Sequence, residues 1–499
     1  MFRKVLIANR GEIAIRIAKT LQMMGIRVVA IYSPEDHDVF HLRFADEAYP
    51  LIGTSPKETY LSISQIIEIA KVAHVDAIHP GYGFLSENPL FAEACEQPGL
   101  TFIGPSPKVM RLLGDKLMAK KTASQLGIPV IPGGEMPGRL DRNEILQLAN
   151  SIGYPVLIKA TAGGGGKGMR LVHESKDLLP AVEAARREAK AAFGDDRIFV
   201  EKYISEPRHI EIQILGDHHG NLVHLFDREC SIQRRYQKIV EESPSVALTA
   251  SLRNRMGEAA VTAAKAVGYT NAGTVEFILD KKGEFYFLEV NTRLQVEHPV
   301  TEMIAHRDLV EAQILVAANE KLPFIQKQLR MDGHAIECRI YAEDTTRGFV
   351  PCTGIIERYI PPDGPNIRVD SGVAEGTFIG VDYDPMIAKL ITWGESRRRA
   401  IQKMVWALQH FVILGITTNL DFLQQLFNHP EFVAGNLHTQ FIKEHHDALT
   451  QQFIPDEAIL VAAFTASQHG KHESSQTLTP TQGIKSGGPW DTLFGWRAF

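Results

Sequence analysis

The 499-residue sequence is poor in cysteine: Cys95, Cys230, Cys338 and Cys352 stand far apart, with no CxxC pair and no tight cluster. That spacing supports neither a disulfide framework nor a structural zinc site, and reduced thiols in a cytoplasm are expected. No apolar run approaches the roughly 18 residues that a membrane span needs. The opening Met-Phe-Arg-Lys turns polar too soon for a secretory signal. Charge of one sign is lacking too: 53 Lys and Arg against 59 Asp and Glu leave a net charge of −6, which argues against nucleic acid or an anionic membrane as partner. What is present is an ordinary globular composition, 44% hydrophobic and 22% charged, long enough for roughly two to four domains. A soluble cytoplasmic protein is expected.

Residues 1 to 114 alternate between strand and helix signals. Val5 to Ala8 is a short apolar run, Ile13, Ile17, Ala18 and Leu21 follow at helical spacing, and Arg27 to Tyr32 is again β-rich. A helix over Leu61 to Ala73, a strand at Ala77 to His79, a helix after Asn88 and a strand at Thr101 to Ile103 complete the pattern of a doubly wound parallel sheet. Such sheets place ligands at the carboxyl ends of their strands. The first turn, Ala8-Asn9-Arg10-Gly11-Glu12, has one glycine where a dinucleotide fingerprint wants three, which disfavours NAD. A second turn, His79-Pro80-Gly81-Tyr82-Gly83-Phe84-Leu85-Ser86-Glu87-Asn88, puts Tyr82 and Glu87 on the ligand side.

From about 131 to 204 a small separate domain is expected. Gly163 to Gly168, interrupted only by Lys167, joins two β-type runs. A stretch so free of side chains can point several N–H groups at one anion. It is not a Walker A loop, because Gly168 follows Lys167 where Ser or Thr is needed. The expectation is a phosphate clamp that closes as a lid, with Lys159 beside it and Glu201-Lys202-Tyr203-Ile204 as the hinge that exposes backbone groups to an adenine edge.

The third segment, 205 to 446, carries the chemistry. Gly273 to Asp280 and Glu284 to Thr292 are β-type runs, and a two-residue turn at Lys282-Gly283 would set Glu276 opposite Glu289. Opposed carboxylates repel, and magnesium or manganese between them would remove the cost, with Asn291 as a further oxygen ligand. Glu289, Asn291, Arg293, Gln295 and Glu297 alternate with Val290, Thr292, Leu294 and Val296, so an extended chain would present one polar face. Arg293 and Gln295 suit a small oxyanion, and Glu297 could serve as a base. Further cations come from Gln233-Arg234-Arg235-Tyr236-Gln237-Lys238 and from Arg339.

These stretches have a known parallel. IANRGEIAIRI, HPGYGFLSENP, FIGPSP, KATAGGGGKGMR, EKYI, PRHIEIQ, EFYFLEVNTRLQVEHPVTE and GHAIECRIYAED, in that order over about residues 1 to 446, closely resemble biotin carboxylase. The resemblance implies an α/β chain with a doubly wound amino-terminal domain (1–114), a linker helix (115–130), an ATP-grasp lid (131–204), and an ATP-grasp body with a carboxyl-terminal α+β domain (205–446). It implies that ATP, bicarbonate and biotin give carboxybiotin, ADP and phosphate. Lys116, Lys159, Gly165, Gly166, Glu201, Lys202, Tyr203, Ile204, His209, Gln233 and Tyr236 would hold ATP. Glu276, Glu289 and Asn291 would hold two Mg2+ or Mn2+ ions. Lys238, Arg293, Gln295 and the Val296 backbone would bind bicarbonate, Glu297 would deprotonate it, Arg339 would stabilise the biotin enolate, and Tyr82 would line the ureido site. Tyr236 departs from the family's His. Residues 447–488 read as a helix and linker, and Pro489 to Arg497 resembles the start of a subunit-contact domain in α subunits of methylcrotonyl-, geranyl- and propionyl-CoA carboxylases, cut short here. An AMKM-like biotinyl-lysine turn is absent from the sequence. This implies either a truncated α subunit or one whose carrier domain lies on another chain, so the implied partners are a biotin carboxyl carrier domain or protein and a carboxyltransferase subunit, in a homodimer or larger hetero-oligomer. Another ATP-grasp ligase and a silent ATP-binding scaffold are the competing readings.

Overall fold

A computed structural model describes residues 1–36, 40–97, 99–136, 141–161 and 169–451. The glycine loop with Gly165 and Gly166, and the expected helix, linker and contact segment after 451, lie outside the described residues.

The amino-terminal segment forms a parallel five-stranded sheet in the order Glu47–Pro50, Arg27–Tyr32, Lys4–Ile7, Ala77–His79, Thr101–Phe102. Its central strand is apolar on both faces because helices cover both. Ile13, Ile17 and Leu21 of the helix Gly11–Met23 bury against Val5 and Ile7, while Ile66 and Ala70 of Ile63–Val72 pack with Leu6 and Ile78 on the other side. The helix Pro89–Glu96 begins where Asn88 accepts hydrogen bonds from the Leu90 and Phe91 amides and proline occupies the first turn.

Four antiparallel strands, in the order Gly133–Met136, Ile198–Lys202, Val156–Ala160, Arg170–Val172, form a second sheet. Ile158, Val200 and Val172 close a small core with Ala185 and Ala189 of the helix Leu178–Phe193.

The third sheet has eight strands, all antiparallel: Phe285–Asn291, Asn271–Leu279, Arg208–Gly216, Leu222–Arg234, Gln237–Ser243, His334–Tyr341, Met386–Gly394 and Ile367–Ser371. The strand His334–Tyr341 pairs directly with Gln237–Ser243, so the strands before and after it share one continuous ladder. Alternation explains how the first half is built. Ile210, Ile212 and Ile214 enter a core with Val275 and Phe277. His209, Glu211 and Gln213, between them, face the other way and are buried as well. The reverse face of this sheet is therefore a buried polar surface, and the site is built on it. Among the described residues no helix is long and apolar enough to cross a membrane.

Buried ion pairs join the amino-terminal domain to this body. Arg16 reaches Glu302 and Asp308, each at 2.8 Å, and Arg368 reaches Glu302 at 2.7 Å. Removing one partner of such a pair strands the others in a dry interior. Arg16→Met is expected to lower stability by about 3 kcal/mol, seen as an earlier urea transition. An unshifted transition would deny this contact any structural weight.

Candidate active site

A cavity of about 850 Å³ opens between the four-stranded sheet and the polar face of the eight-stranded one. Lys116, Lys159, Lys202, Tyr203, Ile204, His209, Gln233, Tyr236, Lys238, Glu276, Glu289, Asn291, Arg293, Gln295, Val296, Glu297 and Arg339 all line it. Its lining includes apolar Ile131, Leu157, Met169, Leu288 and Ile442 together with Tyr203 and Ile204, besides the cations and carboxylates. A flat apolar base with a charged tail fits that composition.

Glu276 and Glu289 are directly opposite in the ladder, as the sequence suggests, but by a different route. The turn is three residues long, Lys281 to Gly283, closed by the Asp280 amide donating to the Glu284 carbonyl at 2.9 Å. A bulge at Leu288 then shifts the register between Phe277–Phe287 and Glu276–Glu289. Without the bulge Glu289 would share the face of Phe285 and Phe287, which are in the core. With it, the carboxylate turns to the cavity. Lys116 Nζ lies 2.7 Å from Glu289. Glu276 accepts from His209 at 2.9 Å, Lys238 at 3.1 Å, Asn291 at 2.6 Å and Gln295 at 2.9 Å. Burial opposes its charge, but Lys238 and His209 hold its carboxyl well below the usual range. Two facing carboxylates with an amide oxygen nearby form a hard-oxygen donor set that fits a divalent cation. Lys116 meets part of the same charge demand.

The strand ends at Asn291, so the expected extended run to Glu297 is not formed. Thr292 to Glu297 is a loop whose last residue caps the helix His298–Ala305. Arg293, Gln295 and Glu297 still meet in the cavity because other groups fix the loop. Glu87 accepts from the Thr292 amide and from Arg293 Nε, both at 2.9 Å. Lys238 Nζ donates to Glu297 Oε1 at 2.7 Å, and Arg339 donates to Glu297 Oε2 at 2.9 Å while gripping Glu241 through Nε at 2.8 Å. In a regular strand Lys238 and Glu241, three residues apart, would face opposite sides. The register shift between the Ile232–Val240 and Gln233–Lys238 pairs leaves Ile239 as an extra residue, and both side chains reach the Glu297 side. Burial penalises the Glu297 charge, yet Lys238, Arg339 and Arg228 outweigh it and hold the carboxyl well below its ordinary range.

At the expected phosphate end, Lys159 lies 2.7 Å from Glu201, which also pairs with Lys120. Glu201 is buried and outside the cavity lining, so its carboxylate positions lysines. The Lys202 ammonium is tied to the Gly153 and Tyr154 carbonyls at 2.9 and 2.8 Å. Arg235 and Tyr236 form a two-residue hairpin with both backbones left-handed, φ 49° and 69°. Tyr82 is not among the lining residues of this cavity: its hydroxyl donates to Glu12.

Two partners escaped the sequence reading. Arg228 is fully buried opposite Glu211 and donates to it at 3.0 Å, to Gln213 at 2.7 Å, and to the Gln295 side-chain oxygen. A guanidinium only donates, so the Gln295 oxygen must face Arg228 and its NH2 must face the cavity. Glu211 adds a third carboxylate, pushed up to about 7 by burial against the pull of Lys238. The alternation in Arg-His-Ile-Glu-Ile-Gln was a signal for Glu211. Nothing in the spacing marked Arg228.

Known proteins resemble this chain in sequence and fold. The family described as biotin carboxylase, N-terminal domain, matches residues 1–110, that described as carbamoyl-phosphate synthase L chain, ATP binding domain, matches 115–325, and biotin carboxylase C-terminal domain matches 337–444. The methylcrotonoyl-CoA carboxylase subunit alpha of Rattus norvegicus is 50% identical over 483 residues, 96% of this chain and 67% of its own length. The biotin carboxylase of Halalkalibacterium halodurans is 51% identical over 446 residues, covering 89% of this chain and 98% of that one. The crystal structure of the biotin carboxylase domain dimer of Hydrogenobacter thermophilus 2-oxoglutarate carboxylase, in complex with MgADP, ADP and bicarbonate, superimposes with a TM-score of 0.87 at 46% identity over 91% of this chain and 100% of that chain. Longer α subunits thus share only part of their length with this chain, whereas a whole biotin carboxylase is matched nearly end to end, and the chain belongs to the biotin carboxylase family.

Proposed function

We propose that the chain carboxylates biotin at N1 with bicarbonate, at the expense of ATP, and supplies the first half-reaction of an acyl-CoA carboxylase. The observation that carries this reading is the double grip of Lys238 and Arg339 on Glu297, in the same cavity as the Glu276–Glu289 pair. The adenine sits by Tyr203 and Ile204 among the apolar lining residues, with Lys116, Lys159, His209 and Gln233 along the phosphates. Glu276, Glu289 and Asn291 would hold the two divalent ions, which would supply charge neutralisation at the triphosphate. Arg293, Lys238, the Gln295 amide and the Val296 backbone hold bicarbonate, and Glu297, kept ionised, takes its proton. The freed oxygen attacks the γ-phosphorus, the bond to ADP breaks, and carboxyphosphate forms. Its breakdown gives carbon dioxide and phosphate. The phosphate takes the N1 proton of biotin, Arg339 stabilises the charge on the ureido oxygen, and N1 adds to carbon dioxide.

The acyl-CoA acceptor belongs to a carboxyltransferase, and a biotin carrier domain or protein brings the ureido ring, with the chain acting as a homodimer or inside a larger assembly. A cytoplasmic location is proposed from the four free cysteines. The rat relative is named as mitochondrial, so fractionation decides between the two compartments.

ADP release by the purified chain with magnesium and ATP is expected to rise when bicarbonate and free biotin are present together. No rise, with ATP still bound, would favour a silent scaffold. Glu297→Gln is expected to keep ATP binding and lose bicarbonate-dependent hydrolysis by at least about 100-fold; hydrolysis at the parental rate would remove Glu297 from the reaction. Arg339→Ala is expected to lose biotin carboxylation and keep part of the hydrolysis. It also removes a cation that lowers the Glu297 carboxyl, so the acid limb of that hydrolysis should move to higher pH. A stationary limb would separate Arg339 from Glu297.

A further inference from the structure

Lys389, on the strand Met386–Gly394, is wholly buried and does not line the cavity. A lysine is rarely placed so deep unless its charge is met on several sides. Its ammonium donates to the Val296 carbonyl at 2.8 Å, lies 3.2 Å from Glu12 Oε1 and 4.0 Å from Asp370, and stands 5.8 Å from the Tyr82 ring centre. Glu12 comes from the amino-terminal helix and Asp370 from the edge strand Ile367–Ser371. Val296 immediately precedes Glu297 and does line the cavity.

The peptide groups around Val296 are both fixed through their carbonyls. The Gln295 carbonyl accepts from His298 Nδ1 at 2.8 Å and from the His298 amide at 3.3 Å. The Val296 carbonyl accepts from Lys389. In a planar trans peptide the N–H points away from the C=O. Holding these two carbonyls therefore turns the Val296 and Glu297 N–H groups away from His298 and Lys389. Two successive N–H groups presented together are what a small oxyanion binds.

We propose that Lys389 is a positioning residue for bicarbonate: it orients the Val296–Glu297 peptide, and Glu12 with Asp370 holds Lys389 in place. Tyr82 enters the same chain through its hydroxyl on Glu12, so the loop His79 to Gly83 bears on the bicarbonate loop without touching the cavity. The inference rests on the bicarbonate reading above and extends it to residues that never meet a substrate.

The test is bicarbonate-dependent ATP hydrolysis by the full chain, titrated separately with bicarbonate and with magnesium-ATP. The unaltered chain must respond to bicarbonate; if it does not, the proposed function fails before this inference is reached. Lys389→Met, similar in length and uncharged, is expected to raise the bicarbonate KM by about tenfold or more and to leave the ATP KM unchanged. Because it strands Glu12, the double variant Glu12→Gln/Lys389→Met removes one charge of each sign, and is expected to show the same split. A folded variant with an unchanged bicarbonate KM, or with both KM values raised alike, overturns the proposal. So does failure of both variants to fold, since Lys389 would then serve the fold alone.

Discussion

The base proposed above must stay ionised, and the Glu297 carboxyl is held so at 2% exposure, where water contributes almost nothing. Burial alone would favour its neutral form. Lys238 on one oxygen and Arg339 on the other reverse that preference, and each of those cations needs carboxylates of its own in turn. Lys238 answers to Glu211 and Glu276, Arg339 to Glu241. The charge on one residue thus dictates a cluster spread across four strands of the sheet and the loop after a fifth. A single loss within it leaves another ion stranded, so the cluster stands or falls as a unit.

Such a cluster needs a rigid support whose polar face is dry, and the eight-stranded sheet supplies it by an unusual use of alternation. Isoleucine and phenylalanine fill one side, while histidine, glutamate, glutamine and arginine fill the other. Strict alternation would still misplace Glu289 and Lys238. Each is brought to the working face by one extra residue, Leu288 in the first case and Ile239 in the second. Bulges are a local defect in hydrogen bonding, and here they decide which side chains can meet.

Much of this was legible in the residues. The parallel amino-terminal sheet follows from apolar runs and helical spacing, and the facing of Glu276 and Glu289 was expected, although through a two-residue turn that does not exist. The shorter assumed turn and the overlooked bulge each shift the register by one, in opposite senses. The loop after Asn291 was less legible: its alternation is perfect, but Glu87, a partner some two hundred residues away, holds it in a non-extended path. Arg228 and Lys389 were invisible for the same reason. A buried cation on a strand looks like any surface cation until the partners on distant strands are known.

The shared ladder between Gln237–Ser243 and His334–Tyr341 has a genetic consequence. Cutting the coding sequence between those strands would leave each product with a raw sheet edge, the kind of surface that captures other strands. The residues on the two sides of that pairing therefore belong to one cassette. Gene fusion can append segments around it and recombination can carry it whole, but a crossover inside it would have to find a partner with a matching strand register.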